Sequence, residues 1–289
     1  MPRRALLIVN AQSRNGESQL ETAVERLEAH GIAPVHLECG RREDLSPLIV
    51  ENANDVDCAI VGGGDGTLNA AAFGVIEAGL PLGILPLGTA NDLARTLDIP
   101  SDLDGAAKVI AEGRTRNIDL GIVNGQPFFN VASIGLSAEL AQQLTTEIKR
   151  RFGRLGYGLV AMKVLVQARP FRATIVSESE TARVRTLQIA VGNGRFYGGG
   201  NAVEKDAAID DQNLDLYSLE LERAWKLALM ARSFRYGEHG AWSEVRAIRA
   251  KEFDIRTRRP RPVNADGEIV TQTPAHFSIR PRAVRVFAP

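Results

Sequence analysis

The chain has 289 residues, enough for one large domain or two modest ones. With 44% hydrophobic and 24% charged residues it has the balance of a soluble globular protein, and 35 basic against 35 acidic residues leave no formal charge. That neutrality gives no bulk reason to expect nucleic acid as a partner, and two cysteines are too few for a disulfide framework or a thiolate metal site.

The apolar run Ala5–Val9 follows two arginines but is five residues long and has no cleavage site after it, so it reads as a first strand and not a signal peptide. No segment offers the ~20 apolar residues that span a bilayer. A cytoplasmic protein, at most peripheral at the inner membrane face, is the expectation.

From there strands and helices alternate. "ALLIVN" is a buried strand and "ESQLETAVERLEAHG" a helix stopped by Gly31. "APVHLE", "DCAIVG" and "PLGILPLG" are further strands, with "REDLSPLIVENA" and "TLNAAAFGVIEAG" as the helices between them. "ANDLARTL" and "DLDGAAKVIAEG" add two helices. Uninterrupted apolar strands alternating with helices indicate a parallel sheet covered on both faces.

Near residue 116 the texture changes. "TRNIDLGIVNGQPFFNVASIG" reads as two strands joined by a tight Asn124-Gly125 turn. A helical stretch is expected from about Ser137 to Gln167. The strand-like runs "FRATIVS", "VRTLQIAVGNG", "NLDLYSLE", "FDIRTR" and "HFSIRP" then suggest an antiparallel sandwich or barrel. The fold class is therefore α/β plus all-β. An N-terminal parallel α/β domain spans 1–118 and a C-terminal, mostly antiparallel β-sandwich domain spans 119–280, with the site in the cleft between them. The last run, "AVRVFAP", leaves open whether 281–289 returns to the first domain.

Two strand ends carry the chemistry. "GGGDGT" brings backbone N–H groups and a helix start toward an anion, and glycines allow close approach. No Lys follows, and the Gly spacing is not that of a dinucleotide fingerprint. "GILPLGTANDLARTL" repeats the logic at the next strand, so two Gly-Thr pairs with nearby acids lie on the carboxyl edge where open α/β sheets bind ligands. Asn91 and Asp92 also read as plain helix capping, and the Asp266-Gly267 pair of "NADGE" as a plain hairpin turn.

"GGGDGTLN" followed by "GILPLGTANDLARTLDIP" resembles the diacylglycerol kinase catalytic domain family, and most nearly its bacterial YegS-like lipid kinases. "VNAQSRNG", "IDLGIVNG", "NVASIGLSAEL", "NGRFYGGGNAV" and "NADGEIV" extend the likeness, in order, over nearly the whole chain. The resemblance implies an ATP-dependent kinase of a membrane-lipid hydroxyl, working with Mg²⁺. It implies nucleotide contacts from Gly63, Gly64, Asp65, Gly66, Thr67, Leu68 and Asn69, from Thr89, Asn91 and Asp92, and approximately from Cys39. It assigns Glu268 as proton acceptor with Asp266 beside it. It maps a metal site, for Mg²⁺ or Ca²⁺, to Asp211 with Ala208 and Asn213.

The match has departures. Ala70 stands where a Glu is usual, Ala11 where a Pro is usual, and Gln212 where the metal segment has Gly. Without a P-loop Lys, neutralisation of the phosphates falls to Mg²⁺ and backbone dipoles. Asp65 then acts through the metal or orients the attacking hydroxyl. Lys149, Arg150, Arg151 and Arg154 precede an apolar run and offer a basic amphipathic contact for a membrane, with a core-packed helix as the plainer reading. A kinase of a soluble substrate, like NAD kinase, and a nucleotide-binding regulator that has lost catalysis are the alternatives. A homodimer stays open.

Overall fold

The computed structural model describes residues 3–9, 16–143, 168–194, 196–197, 201–202, 208–221 and 244–289. They fall into two units, Met1–Leu120 with Pro281–Pro289, and Gly121–Arg280.

Apolar runs make the first unit's sheet. It is built from β1 (Arg3–Val9), α1 (Gly16–Ala29), β2 (Ile32–His36), α2 (Leu45–Glu51), β3 (Cys58–Gly63), α3 (Asp65–Ala78), β4 (Leu82–Pro86), α4 (Asp92–Thr96) and α5 (Leu103–Glu112). The strands lie parallel in the order β2-β1-β3-β4. Every residue of β3 and β4 is buried, as expected when helices cover both faces. α3 and α5 stop at Gly79 and Gly113, both at positive φ, where glycine carries no Cβ penalty. Asp102 caps α5 by accepting from the Gly105 N–H at 2.8 Å.

Helix α2 packs closely along α3. The Ser46 hydroxyl donates to the Ala70 carbonyl (2.7 Å) and accepts from the Gly74 N–H (2.9 Å). A Cβ on Gly74 would come within 2.5 Å of Ser46 Cα and O. Gly74→Ala is therefore expected to destabilise the chain by ~1–3 kcal/mol despite the better helix propensity of Ala. Urea denaturation checks this, and an unchanged midpoint would show that α2 can retreat freely.

Two strands, β5 (Thr115–Val123) and β18 (Ala275–Phe287), pass from one unit into the other. The end of β18 joins the first sheet, with Val286 paired to Leu82 in parallel. The two runs read separately as "HFSIRP" and "AVRVFAP" are this one strand. It continues through Pro281, beside which Arg282 takes φ +49 and donates its N–H to the buried Asp119 carboxylate at 2.6 Å.

The second unit contains β6 (Gln126–Phe128), β7 (Val131–Gly135), α6 (Leu136–Gln143), β8 (Phe171–Val176), β9 (Thr181–Thr186) and β10 (Gln188–Gly192). A short ladder of β11 (Phe196–Tyr197) and β12 (Asn201–Ala202) follows, then β13 (Leu214–Leu219), β14 (Val245–Ala250), β15 (Glu252–Thr257), β16 (Pro262–Ala265) and β17 (Glu268–Gln272). One antiparallel sheet runs β14-β13-β10-β7-β16-β17, and the first part of β18 continues through β15 and β8 to β9. Inward residues of both sheets, among them Ile134, Ile189 and Leu216 facing Ile175, Phe253 and Phe277, form one core. This is the expected antiparallel sandwich.

Asn124 and Gly125 make the expected turn, at φ +47 and +81, pairing Val123 with Gln126. The strand after it does not run on as read. It breaks at Phe129–Asn130, for a reason given below. The run 245–250 is a strand that the sequence reading passed over. Of the helix expected over 137–167, α6 is described and the remainder lies outside the described residues, as do Lys149, Arg150, Arg151 and Arg154. Among the described residues no helix is long and apolar enough to cross a membrane.

Candidate functional site

In the first unit the two glycine loops leave the carboxyl ends of adjacent strands and touch backbone to backbone. A Cβ on Gly64 would sit 3.3 Å from Gly88 Cα, and one on Gly88 would overlap Gly64 Cα. A Cβ on Gly63 would press at 2.7 Å on Thr67. Only bare backbone fits here, which leaves a surface that a polyphosphate can approach closely. Helix α3 begins at Asp65 with Gly64 at its N-cap, and no side chain caps it. The Thr67 N–H already bonds the Gly64 carbonyl at 2.9 Å, so it is the N–H groups ahead of it, at Asp65 and Gly66, that lie at the end where the dipole favours an anion.

The Asp65 carboxylate is turned toward the second loop. Oδ2 accepts from the Asp92 N–H at 3.2 Å and Oδ1 from the Leu93 N–H at 3.0 Å. It therefore caps α4 from 27 residues away. Asn91 occupies the N-cap position of α4 in the left-handed region (φ 50°, ψ 45°) and makes no cap bond to it. Its side chain instead accepts from the Gly88 N–H (2.9 Å) and donates to the Gly88 and Pro86 carbonyls, closing the loop on itself. The capping expected of Asn91 is thus performed by Asp65, and Asn91 shapes the turn. Thr67, Leu68 and Asp92 are buried while Thr89 is exposed. Asn69 Oδ1 is shut off from solvent with no hydrogen-bond partner among the described residues. It is an acceptor that a ribose hydroxyl or a cation-bound water would satisfy.

Cys39 does come near Thr67. Both line a small cavity of about 20 Å³ with Ile8, Gly40, Arg41, Arg42 and Leu45. The Cys39 thiol donates to the Arg41 carbonyl at 2.9 Å, and burial with the nearby Asp44 and Glu43 charges raises its pKa, so it stays a neutral thiol and not a nucleophile. Cys58 is more extreme, pushed up to about 12 by burial in β3. Arg41 and Arg42 are cations beside the first loop that the sequence reading did not single out. Arg41 is held by Asp44 at 3.2 Å.

In the second unit three segments that are weak one by one meet at a single sheet end. β7 begins there, and its neighbours β10 and β16 end there. The Asp266 carboxylate accepts from the N–H groups of Phe129 (2.7 Å), Asn130 (3.1 Å) and Val131 (2.8 Å). This interrupts the strand at 129–130, because those N–H groups point at a carboxylate and not along a ladder. The Asn130 carbonyl accepts from the Asn193 and Gly194 N–H groups at 2.8 and 3.0 Å, and Asn193 Nδ2 donates to the Phe129 carbonyl at 2.8 Å. Asp266 (φ +45) and Gly267 (φ +98) form a two-residue hairpin turn that pairs Ala265 with Glu268. The turn reading of "NADGE" is correct, and it sets Glu268 exposed at the start of β17.

Asn130, Asn193 and Asn264 are buried polar residues that sequence reasoning missed. Asn264 Oδ1 accepts from the Gly267 N–H at 3.1 Å, while its Nδ2 is buried with no partner among the described residues. The signal was an Asn at each of three strand ends. Single asparagines in turns are too common to reveal that they converge.

Asp211 does not offer a free carboxylate to a metal. Its Oδ1 accepts from the Asn213 N–H at 2.9 Å and its Oδ2 is ion-paired with Arg249, which also lies 3.6 Å from Asp215. A guanidinium already supplies the positive charge there. Gln212 adopts φ +61, the conformation that the missing glycine of this segment would take without strain. Ala208, Asp211 and Asn213 as they stand do not fit a bound cation. No group of three or more His, Cys, Asp or Glu poised for a metal occurs among the described residues. A nucleotide-borne Mg²⁺ needs no such cage, since phosphates and water fill most of its positions.

Residues 4–123 match the diacylglycerol kinase catalytic domain, and residues 130–288 match the YegS C-terminal NAD kinase beta sandwich-like domain. A Staphylococcus aureus protein described as a diacylglycerol kinase is 30% identical over 100% of this chain and 93% of its own length. A crystal structure of a candidate diacylglycerol kinase from Bacillus anthracis str. Sterne is 28% identical and superposes with a TM-score of 0.84, covering 99% of this chain and 95% of that one. A second structure from the same organism, at 23% identity and TM-score 0.75, shares the fold over 99% of this chain and 97% of its own.

Proposed function

The chain belongs to the diacylglycerol kinase family, and from that premise we propose that it transfers the γ-phosphoryl group of ATP to the hydroxyl of a diacylglycerol-like membrane lipid. The observation that carries this reading is the bare-backbone contact of Gly64 with Gly88, clamped by Asp65. Phosphoryl transfer is mostly positioning and charge stabilisation, and a rigid cradle of N–H groups supplies both.

In this mechanism the N–H groups at the start of α3 and the Gly88–Thr89 turn receive the phosphates. Asp65 fixes the spacing of the two loops. Mg²⁺, when bound with the nucleotide, neutralises the charge that develops on the phosphates. Each Asp65 oxygen keeps lone-pair capacity beyond its one backbone bond, enough for a water-mediated contact to that ion. Glu268, exposed and next to the anchored Asp266, accepts the proton of the attacking hydroxyl.

The test is transfer of label from γ-labelled ATP, with Mg²⁺, to diacylglycerol in mixed micelles, and to phosphatidylglycerol, a sphingoid base and NAD in parallel. Label is expected in the diacylglycerol arm. Glu268→Gln should lose ~10²–10⁴-fold in rate with the urea midpoint unchanged, because the side chain is exposed. The likeness of the second unit to an NAD kinase sandwich makes NAD the informative competitor. Label in NAD alone would replace the lipid reading by a soluble-substrate kinase. ATP binding without turnover on any acceptor would favour a regulatory protein.

A further inference from the structure

The sheet of β8, β9 and β15 sends one set of side chains into the sandwich core and the other outward. Phe171, Ala173 and Ile175 on β8, Ala182 and Val184 on β9, and Phe253 and Ile255 on β15 are buried. Between them Arg172, Arg183, Arg185 and Arg256 are exposed, and Arg258 follows just beyond β15. Strand register gathers these arginines. Arg172 stands directly opposite Arg185, and Thr174 lies between Arg183 on one neighbour and Arg256 on the other. The five arginines line a shallow open depression of about 520 Å³. Among the described residues no carboxylate is paired with any of them. Asp254, two positions before Arg256, instead meets the His276 ring at 3.1 Å.

Like charges directly opposite on a sheet face are destabilising. Charges on an edge strand guard against strand-to-strand aggregation, which accounts for Arg183 and Arg185 on β9, the last strand of its sheet. It does not account for Arg172 and Arg256, which lie on interior strands. An anionic partner does. We propose that this arginine face docks the chain on an anionic lipid bilayer, a choice of partner that rests on the lipid-kinase reading above. Nucleic acid fits less well, because the residues lining the depression include no aromatic ring on which a base could stack. A neutral chain must carry its attraction to a bilayer in a local patch of this kind, since the formal charge of the whole is zero.

The test is co-sedimentation of the full chain with phosphatidylcholine vesicles, with or without phosphatidylglycerol, comparing wild type with Arg183→Gln/Arg256→Gln and with Arg172→Gln/Arg185→Gln. Each basic residue near an anionic leaflet contributes about five-fold in partitioning, so each double variant should bind phosphatidylglycerol vesicles ~25-fold more weakly. Wild-type binding should fall with salt, and binding to phosphatidylcholine alone should not separate the proteins. The variants should melt no lower than wild type, because repulsion is removed. Transfer to diacylglycerol in neutral micelles should be unchanged in them. Equal binding of variants and wild type to anionic vesicles overturns the proposal, as does arginine-dependent binding to a single-stranded oligonucleotide without vesicle binding. Arginine-dependent vesicle binding by a chain that phosphorylates no lipid would keep the docking surface and remove the kinase reading. Lipid turnover with arginine-independent binding would do the reverse.

Discussion

Asp65→Asn is expected to lower stability by about 1–3 kcal/mol and to reduce transfer by ~10²-fold or more. The carboxylate gives one oxygen each to the Asp92 and Leu93 N–H groups. An Asn side chain has one acceptor oxygen, and its NH₂ would face the other N–H. A donor buried without an acceptor costs about 1–3 kcal/mol, and the charge that suits the start of α4 is lost as well. The activity loss follows from geometry. With the clamp open, the Gly88–Thr89 turn is free to move from its contact with Gly64, and a displacement of ~1 Å at a phosphate site can reduce rate by ~10²-fold. Urea denaturation, together with hydrogen exchange at the Asp92 and Leu93 amides, separates this from a role purely at the metal. A variant as stable as wild type, with protected amides and a raised Mg²⁺ requirement, would assign Asp65 to the metal and sink the clamp.

The place of Asp65 among the glycines of the first loop has a structural reading that the sequence could not display. Asp65 and its two donors are 27 and 28 residues apart, on different strand ends. Spacing showed that both loops lie on the same sheet edge, because buried parallel strands with helices between them allow little else. It could not show that the two loops touch. That depends on glycines at 64 and 88 that could equally have served ordinary turns. Asn91 shows the same limit. Its position at the start of α4 invited a capping role, whereas its left-handed backbone aims the side chain back at Gly88.

The second unit was legible where the signal was local. Asn124-Gly125 and Asp266-Gly267 are turn pairs whose positive φ values match their residue types. The break at Phe129–Asn130 was not legible, because its apolar run reads as continuous and the group that interrupts it lies 137 residues downstream. The surroundings of Asp211 were hidden for a similar reason. The loop retained the acid, but Arg249 on a strand that the sequence reading had passed over neutralises it. A resemblance carries the positions of ligands and not the partners that those ligands have acquired.

Asp266 should therefore behave differently from its neighbour Glu268. Asp266→Ala would leave the N–H groups of 129, 130 and 131 without their acceptor in a partly buried turn, at about 1–3 kcal/mol for each one that water cannot reach. A loss of ~3 kcal/mol or more in the second unit is expected, with faster amide exchange at those three residues. Asp266→Asn keeps one acceptor oxygen and a residue type that tolerates φ +45, so its loss should be roughly half as large. Both changes should also slow transfer, since Asp266 holds the turn that presents Glu268. Glu268→Gln, in contrast, should alter rate alone. If Asp266→Ala unfolds at the wild-type urea concentration yet is inactive, Asp266 acts on the substrate directly and the anchoring role fails. If all three variants lose stability together, the turn is a single structural unit and Glu268 loses its claim to be the base.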